Sequence, residues 1–220
     1  MAILTVATVS LAAVGDVASS PNEAGPSSAE AFNRWHFSPH PHTMDSKAAS
    51  FASFQAMLEE EGVAEVVPAW QLWRVDAHYA KRCGTDYFLV PPESRWRQII
   101  PTLRLLRDEV IPVTGPLEVA SGYRSPEIND CVNGASRSKH LNFKALDLVA
   151  TQITGREDIF KKLCILQNQI GRSKSMGLGA FYDPEDTQRG EMGRFHIDVE
   201  GYRTWGFDYT SKSNPCPKIL

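Results

Sequence analysis

The sequence predicts an α+β domain with helices packed on one side of a small, mainly antiparallel sheet. Two observations carry this prediction. In the first half, apolar residues recur every three or four positions, as at Phe51, Phe54, Met57 and Leu58 and again from Trp96 to Val110. The second half holds short alternating runs instead, at Leu117–Ser121, Ala145–Val149 and Arg194–Val199, separated by polar turns. Helices followed by strands imply segregated layers, and no internal repeat is visible.

Taken in order, Met1–Val14 is apolar and small residues follow to Ser20. Residues 1–20 therefore read as a signal peptide that lacks the usual positive start, its apolar run being too short for a membrane span. Residues 21–48 are rich in Ser, Pro, Ala and Asn, which predicts a flexible linker without a core, and His36, His40 and His42 fall in it as a solvated tail. The domain proper is expected over residues 49–220. A helix from Asp45 to Glu61, capped by Asp45 or Ser46, stops at Gly62. Val63–Trp73 leads into the core, and Pro68 bars a continuous helix there. Trp70, Trp73 and Trp96 read as core, with Trp70 or Trp73 also able to line a cleft.

A second helix is expected over Ser94–Val110, kinked or split at Pro101, with Arg95, Arg97, Arg104 and Arg107 as a solvated face. The strand Leu117–Ser121 leaves through Gly122-Tyr-Arg124, and Ser125-Pro126 opens a short helix ending near Val132, with Gly134 beyond it. Thr154 and Glu157 form a capping box for a helix to about Ile170, with Ile159, Leu163, Leu166 and Ile170 facing inward. Met176–Tyr182 is a glycine-punctuated strand; no Gly-Lys-Ser/Thr follows, which excludes a phosphate loop. Asp183–Arg189 is a polar loop.

The 220 residues suit one domain and a tail, and a net charge of -3 with pI near 6.1 excludes an electrostatic case for nucleic acid. The four cysteines show no C-x-x-C spacing, so a structural zinc knuckle is not expected. In an exported chain they would form one or two disulfides. Cys83 with Cys131 is the first choice, and Cys164, on an apolar helix face, reads as core.

The chemistry centres on His140 and Asp147. An aspartate in an apolar strand is unfavourable unless it meets a partner or a cation. Of the six histidines, His78, His140 and His196 lie outside the leader. His196 and Asp198 share one face of the strand Arg194–Val199. His140, Asp147 and His196 aimed at one point would make the two-histidine, one-carboxylate set usual for catalytic zinc.

Three motifs, Ser121-Gly-Tyr-Arg-Ser125, Ser138-x-His140 with Ala145-x-Asp147, and Phe195-His-Ile-Asp198, together resemble a family of zinc peptidases. That family includes D-alanyl-D-alanine carboxypeptidases and murein endopeptidases, and the likeness is strongest to the carboxypeptidase branch. Phe54–Leu72 also resembles the segment preceding the motifs in that branch. The resemblance implies a hedgehog-like zinc fold and a Zn2+ held by His140, Asp147 and His196. Arg124 would bind the substrate's carboxylate and Ser138 would hydrogen-bond the substrate. The implied substrates are peptidoglycan stem peptides, cut by a metal-activated water in the periplasm or outside the cell, with no nucleic acid and no stable membrane span involved.

The chain departs from the pattern twice. Many members carry glycine where this chain has Phe143, and several branches place their acid/base three residues before the last histidine, where this chain has Gly193. Asp198 is therefore the expected catalytic base, or else a metal ligand or an orienter of the site, with Glu191 as second candidate for the base. The competing expectations are a non-catalytic cell-wall-binding module of the same fold and a metal-free, disulfide-stapled interaction domain.

Overall fold

In the computed structural model, residues 25–37, 44–152, 155–186 and 193–220 are described. The expected signal segment, His40, His42, the Thr154 half of the capping box, Glu191 and the cap side chains of Asp45 and Ser46 lie outside what is described.

Part of the stretch read as a coreless linker is a helix, α1 (Ala29–His36). Ser28 caps it, its Oγ accepting from the Ala31 N–H at 3.1 Å. Phe32, Trp35 and His36 stand at i, i+3 and i+4, so three rings fall on one face, and Phe32 is only 3% exposed. Its ring lies 4.9 Å from Phe51 and 5.2 Å from Phe88, centroid to centroid. The average composition of the segment hid this aromatic stripe.

The helix α2 (Met44–Glu60) follows the predicted spacing and buries Phe54 and Leu58. A turn of 3-10 helix at Ala69–Trp73 and the short α3 (Ala77–Cys83) come next. Trp73 and Trp96 are core, while Trp70 borders a cleft of about 1050 Å³ with Val66, Ile111 and Leu117.

The predicted Ser94–Val110 helix is a longer run of changing pitch: 3-10 at Glu93–Ile99, α4 (Ile100–Leu105), a π turn at Leu106–Val110 and α5 (Ile111–Thr114). Pro101 sits in the first turn of α4, where its missing N–H is an end group anyway. Pro112 removes the donor that would close on Asp108, and the wider π turn just before it lets the run continue to Thr114.

The strands β1 (Leu117–Ser121), β2 (Ala145–Ala150), β3 (Gly177–Ala180), β4 (Arg194–Asp198) and β5 (Arg203–Trp205) form one sheet in the order β1-β2-β4-β3-β5. All pairings are antiparallel except β3 with β5. The sequence did not mark β5 as a strand. The helices α6 (Pro126–Cys131), α7 (Arg156–Ile170) and α8 (Cys216–Ile219) complete the chain.

Period two divides the sheet. Leu146, Leu148, Phe195 and Ile197 are fully buried against Leu103, Leu106, Phe160 and Leu163 in one core, each worth roughly 1.5–3 kcal/mol on burial. The alternate residues of β2 and β4, Asp147, His196 and Asp198 among them, occupy the other face.

Two disulfides brace this frame. Cys83–Cys131 joins the ends of α3 and α6, the expected pairing. Cys164 is buried, yet it is bonded to Cys216 rather than being a core thiol, because the inward face of α7 also meets α8.

At Phe143, where the family favours glycine, φ is +54°. The left-handed conformation is unfavourable by about 1–2 kcal/mol for a residue with a side chain. Here complete burial of the ring, 6.1 Å from Phe54 and 6.3 Å from Tyr123, opposes it. Among the described residues no helix is long and apolar enough to cross a membrane.

Candidate metal centre

Asp147 and His196 are direct neighbours in the register of β2 and β4. His140 arrives from a 3-10 turn, Lys139–Asn142, that is tied to the exit of β1. The Arg124 N–H donates to the His140 carbonyl at 3.2 Å, and His140 Nδ1 donates to the Gly122 carbonyl at 2.7 Å. Gly122 must be glycine: a Cβ there would lie 2.1 Å from the Leu72 carbonyl oxygen.

These links bring three donor groups to one point. His140 Nε2 lies 3.1 Å from His196 Nδ1 and 3.3 Å from Asp147 Oδ1, and His196 Nδ1 lies 3.1 Å from the same Oδ1. All three residues are buried, and one ligand atom from each lies within 4.8 Å of the others, so the group could hold a metal ion.

The outer hydrogen bonds fix the tautomers. A carbonyl only accepts, so His140 Nδ1 carries its proton and Nε2 presents a lone pair inward. His196 Nε2 stands 2.9 Å from Asp198 Oδ2. Burial opposes charge on Asp198, but its bonds to His196 and Arg203 outweigh this and hold its pKa at about 2, so it accepts and His196 Nδ1 is left with the inward lone pair. Two lone pairs and a carboxylate oxygen thus face one another, an arrangement that calls for a cation between them.

The three groups titrate differently. Burial pushes His140 toward the neutral ring, opposed in part by Asp147. Burial also disfavours a charged His196, yet hydrogen bonds to Asp147 and Asp198 outweigh it and raise its pKa. Asp147 stays well below the usual carboxylate range despite burial, because the imidazoles and Arg194 stabilise its charge.

Asp147 divides its oxygens. Oδ1 faces the histidines, while Oδ2 accepts from Arg194 Nη2 at 2.8 Å. Arg194 is anchored in turn by Asp76, 2.6 Å from its Nη1, and Asp76 caps α3 by accepting from the Tyr79 N–H at 2.9 Å. Sequence reasoning missed both residues. Arg194 could have been found, since it stands two before His196 on the same strand face; Asp76 is 118 residues from it and gave no signal.

Arg124 is buried beside the cluster. Its Nη2 lies 4.0 Å from Asp147 Oδ2, its Nη1 makes a long 3.4 Å bond to Asn129, and its guanidinium covers the Tyr79 ring at 4.9 Å. Its Nε has no hydrogen-bond partner among the described residues. Ser138 is half-buried at the start of the His140 turn, with no capping bond from its hydroxyl.

Asp198 lies on the outer side of the His196 ring. It shares the strand face of His196 as expected, but it meets the ring nitrogen that points away from Asp147 and His140. Its oxygens are also taken, by His196, by the Glu200 N–H at 2.8 Å and by both terminal nitrogens of Arg203. Gly193, at φ +70°, offers no side chain in its place.

A sequence model described as Peptidase M15 matches residues 84–169. Over that segment the chain is similar to the M15 peptidases. It contains Arg124, Ser138, His140 and Asp147 but ends before His196, which the sheet brings in on β4. No curated protein and no solved structure matches the chain. M15 peptidases are zinc-dependent metallopeptidases, and the buried His-Asp-His group suits that metal.

Proposed function

We propose that this protein is an exported zinc peptidase of the M15 type that hydrolyses D-amino-acid-containing peptides of bacterial peptidoglycan, as a carboxypeptidase or an endopeptidase. The observation that carries the reading is the convergence of His140 Nε2, His196 Nδ1 and Asp147 Oδ1 with both imidazole tautomers fixed from outside. Zinc bound there supplies a Lewis acid for the scissile carbonyl and a water that is nucleophilic near neutral pH.

The chain's own groups take the remaining tasks. Arg124, with Nε uncommitted and a buried planar guanidinium, receives a substrate carboxylate in two parallel bonds, and Ser138 hydrogen-bonds the peptide. Asp198 orients His196 and keeps its proton on Nε2. The general base passes to Glu191, the remaining candidate upstream of His196. Two disulfides support an oxidising compartment, in keeping with export.

A second reading, a cell-wall-binding module without catalysis, is favoured by one observation: no described carboxylate other than the ligand Asp147 and the committed Asp198 joins the histidine cluster. Digestion of purified sacculi, followed by mass spectrometry of the fragments, separates the two. The zinc-loaded wild type is expected to release D-alanine or cross-link fragments, and Glu191→Gln to slow this by about 10²–10⁴-fold with zinc retained. Wild-type protein that loads zinc and binds sacculi but leaves them intact supports the module instead.

A further inference from the structure

The cluster's weakest-looking neighbour is β5, a three-residue strand at the sheet edge. It is separated from β4 by β3, whose residues at the crossing are Gly177 and Gly179. In register, Asp198, Gly177 and Arg203 form one row across the three strands, and His196, Gly179 and Trp205 form the next. Side chains on β5 thus reach β4 over the top of β3.

The contacts are specific. Arg203 Nη1 donates to Asp198 Oδ1 at 3.0 Å and to the Gly201 carbonyl at 3.0 Å, while Nη2 donates to Asp198 Oδ2. Trp205 lies with its ring centroid 5.0 Å from that of His196, and Arg203 packs 5.2 Å from the same indole. A Cβ on Gly177 would come within 2.8 Å of Arg203 Nη1 and both Asp198 oxygens. One on Gly179 would lie 2.7–2.8 Å from three atoms of the rigid Trp205 ring. This accounts for the glycine punctuation of β3.

We propose that Arg203 and Trp205 are positioning residues for the His196 ligand, and that Gly177 and Gly179 are the clearance through which they act. Arg203 grips both oxygens of Asp198 and so fixes the carboxylate that holds His196 in its Nε2–H tautomer. Trp205 packs on the imidazole and sets its plane. Both act through His196 and touch no substrate. The inference rests on the metal reading above, and its test keeps the two apart.

The test uses the full chain, titrated with Zn2+ against a chromophoric chelator, with imidazole nitrogens followed by 15N NMR and folding by circular dichroism. Arg203→Gln and Gly179→Ala are each expected to weaken zinc binding by about 10–100-fold, the range for groups that orient a ligand. Their spectra should show His196 no longer held as the single Nε2–H tautomer, and Arg203→Lys, which keeps the charge but not the fork, should recover part of the loss. Should Gly179→Ala fail to fold, the Arg203 pair of variants decides alone. Wild-type affinity and an unchanged His196 tautomer in folded Arg203→Gln overturn the proposal while leaving the metal reading intact. A wild type that binds no zinc, whatever the variants do, overturns both.

Discussion

His196→Ala is expected to lower zinc content from about one ion per folded chain to near zero, since a catalytic site cannot spare one of three protein ligands. Peptide hydrolysis should fall by at least about 10³-fold with it, because the metal contributes several kcal/mol of transition-state stabilisation. The loss should be local. Asp147 keeps Arg194 and Asp198 keeps Arg203, so neither carboxylate is stranded and circular dichroism should stay near wild type. Elemental analysis of the purified variant checks this, and stoichiometric zinc or undiminished cleavage in it would exclude His196 as a ligand.

The second large effect is on stability. Cys83 and Cys131 are 48 residues apart, and opening a loop of that size is expected to destabilise by about 4 kcal/mol in the chain-entropy account. Little else secures this corner: α3 has seven residues, and Val75, Ala80 and Ile128 form a small cluster apart from the main core. The same helix carries Asp76, which anchors Arg194, and Tyr79, which lies under Arg124. The double variant Cys83→Ala/Cys131→Ala, unfolded in urea, should therefore show both the lower stability and weaker zinc binding. A loss below about 1 kcal/mol would mean that packing, not the crosslink, holds α3 in place.

The parts legible in the sequence were those written in short-range periodicity. Alternation along Ala145–Val149 and Arg194–Val199 put Asp147, His196 and Asp198 on predictable faces, and the three- and four-residue spacing from Phe51 to Leu58 marked α2. Pairings between distant segments left no comparable trace. Arg194 with Asp76, Cys164 with Cys216 and the edge strand β5 are all fixed by how finished elements meet. What Asp198 contacts was hidden for a related reason. Period two places a side chain on a face, but only the rotamer of His196 decides which ring nitrogen turns toward Asp147 and which toward Asp198.

With every described cysteine in a disulfide, no thiolate competes for the metal. X-ray absorption at the zinc edge of the purified, zinc-loaded chain therefore probes the central claim directly. The account predicts a first shell of light atoms at about 2.0–2.2 Å, with outer-shell scattering from two imidazoles and a remainder of oxygen. A shell containing sulfur, a single imidazole, or no bound zinc at all would contradict it.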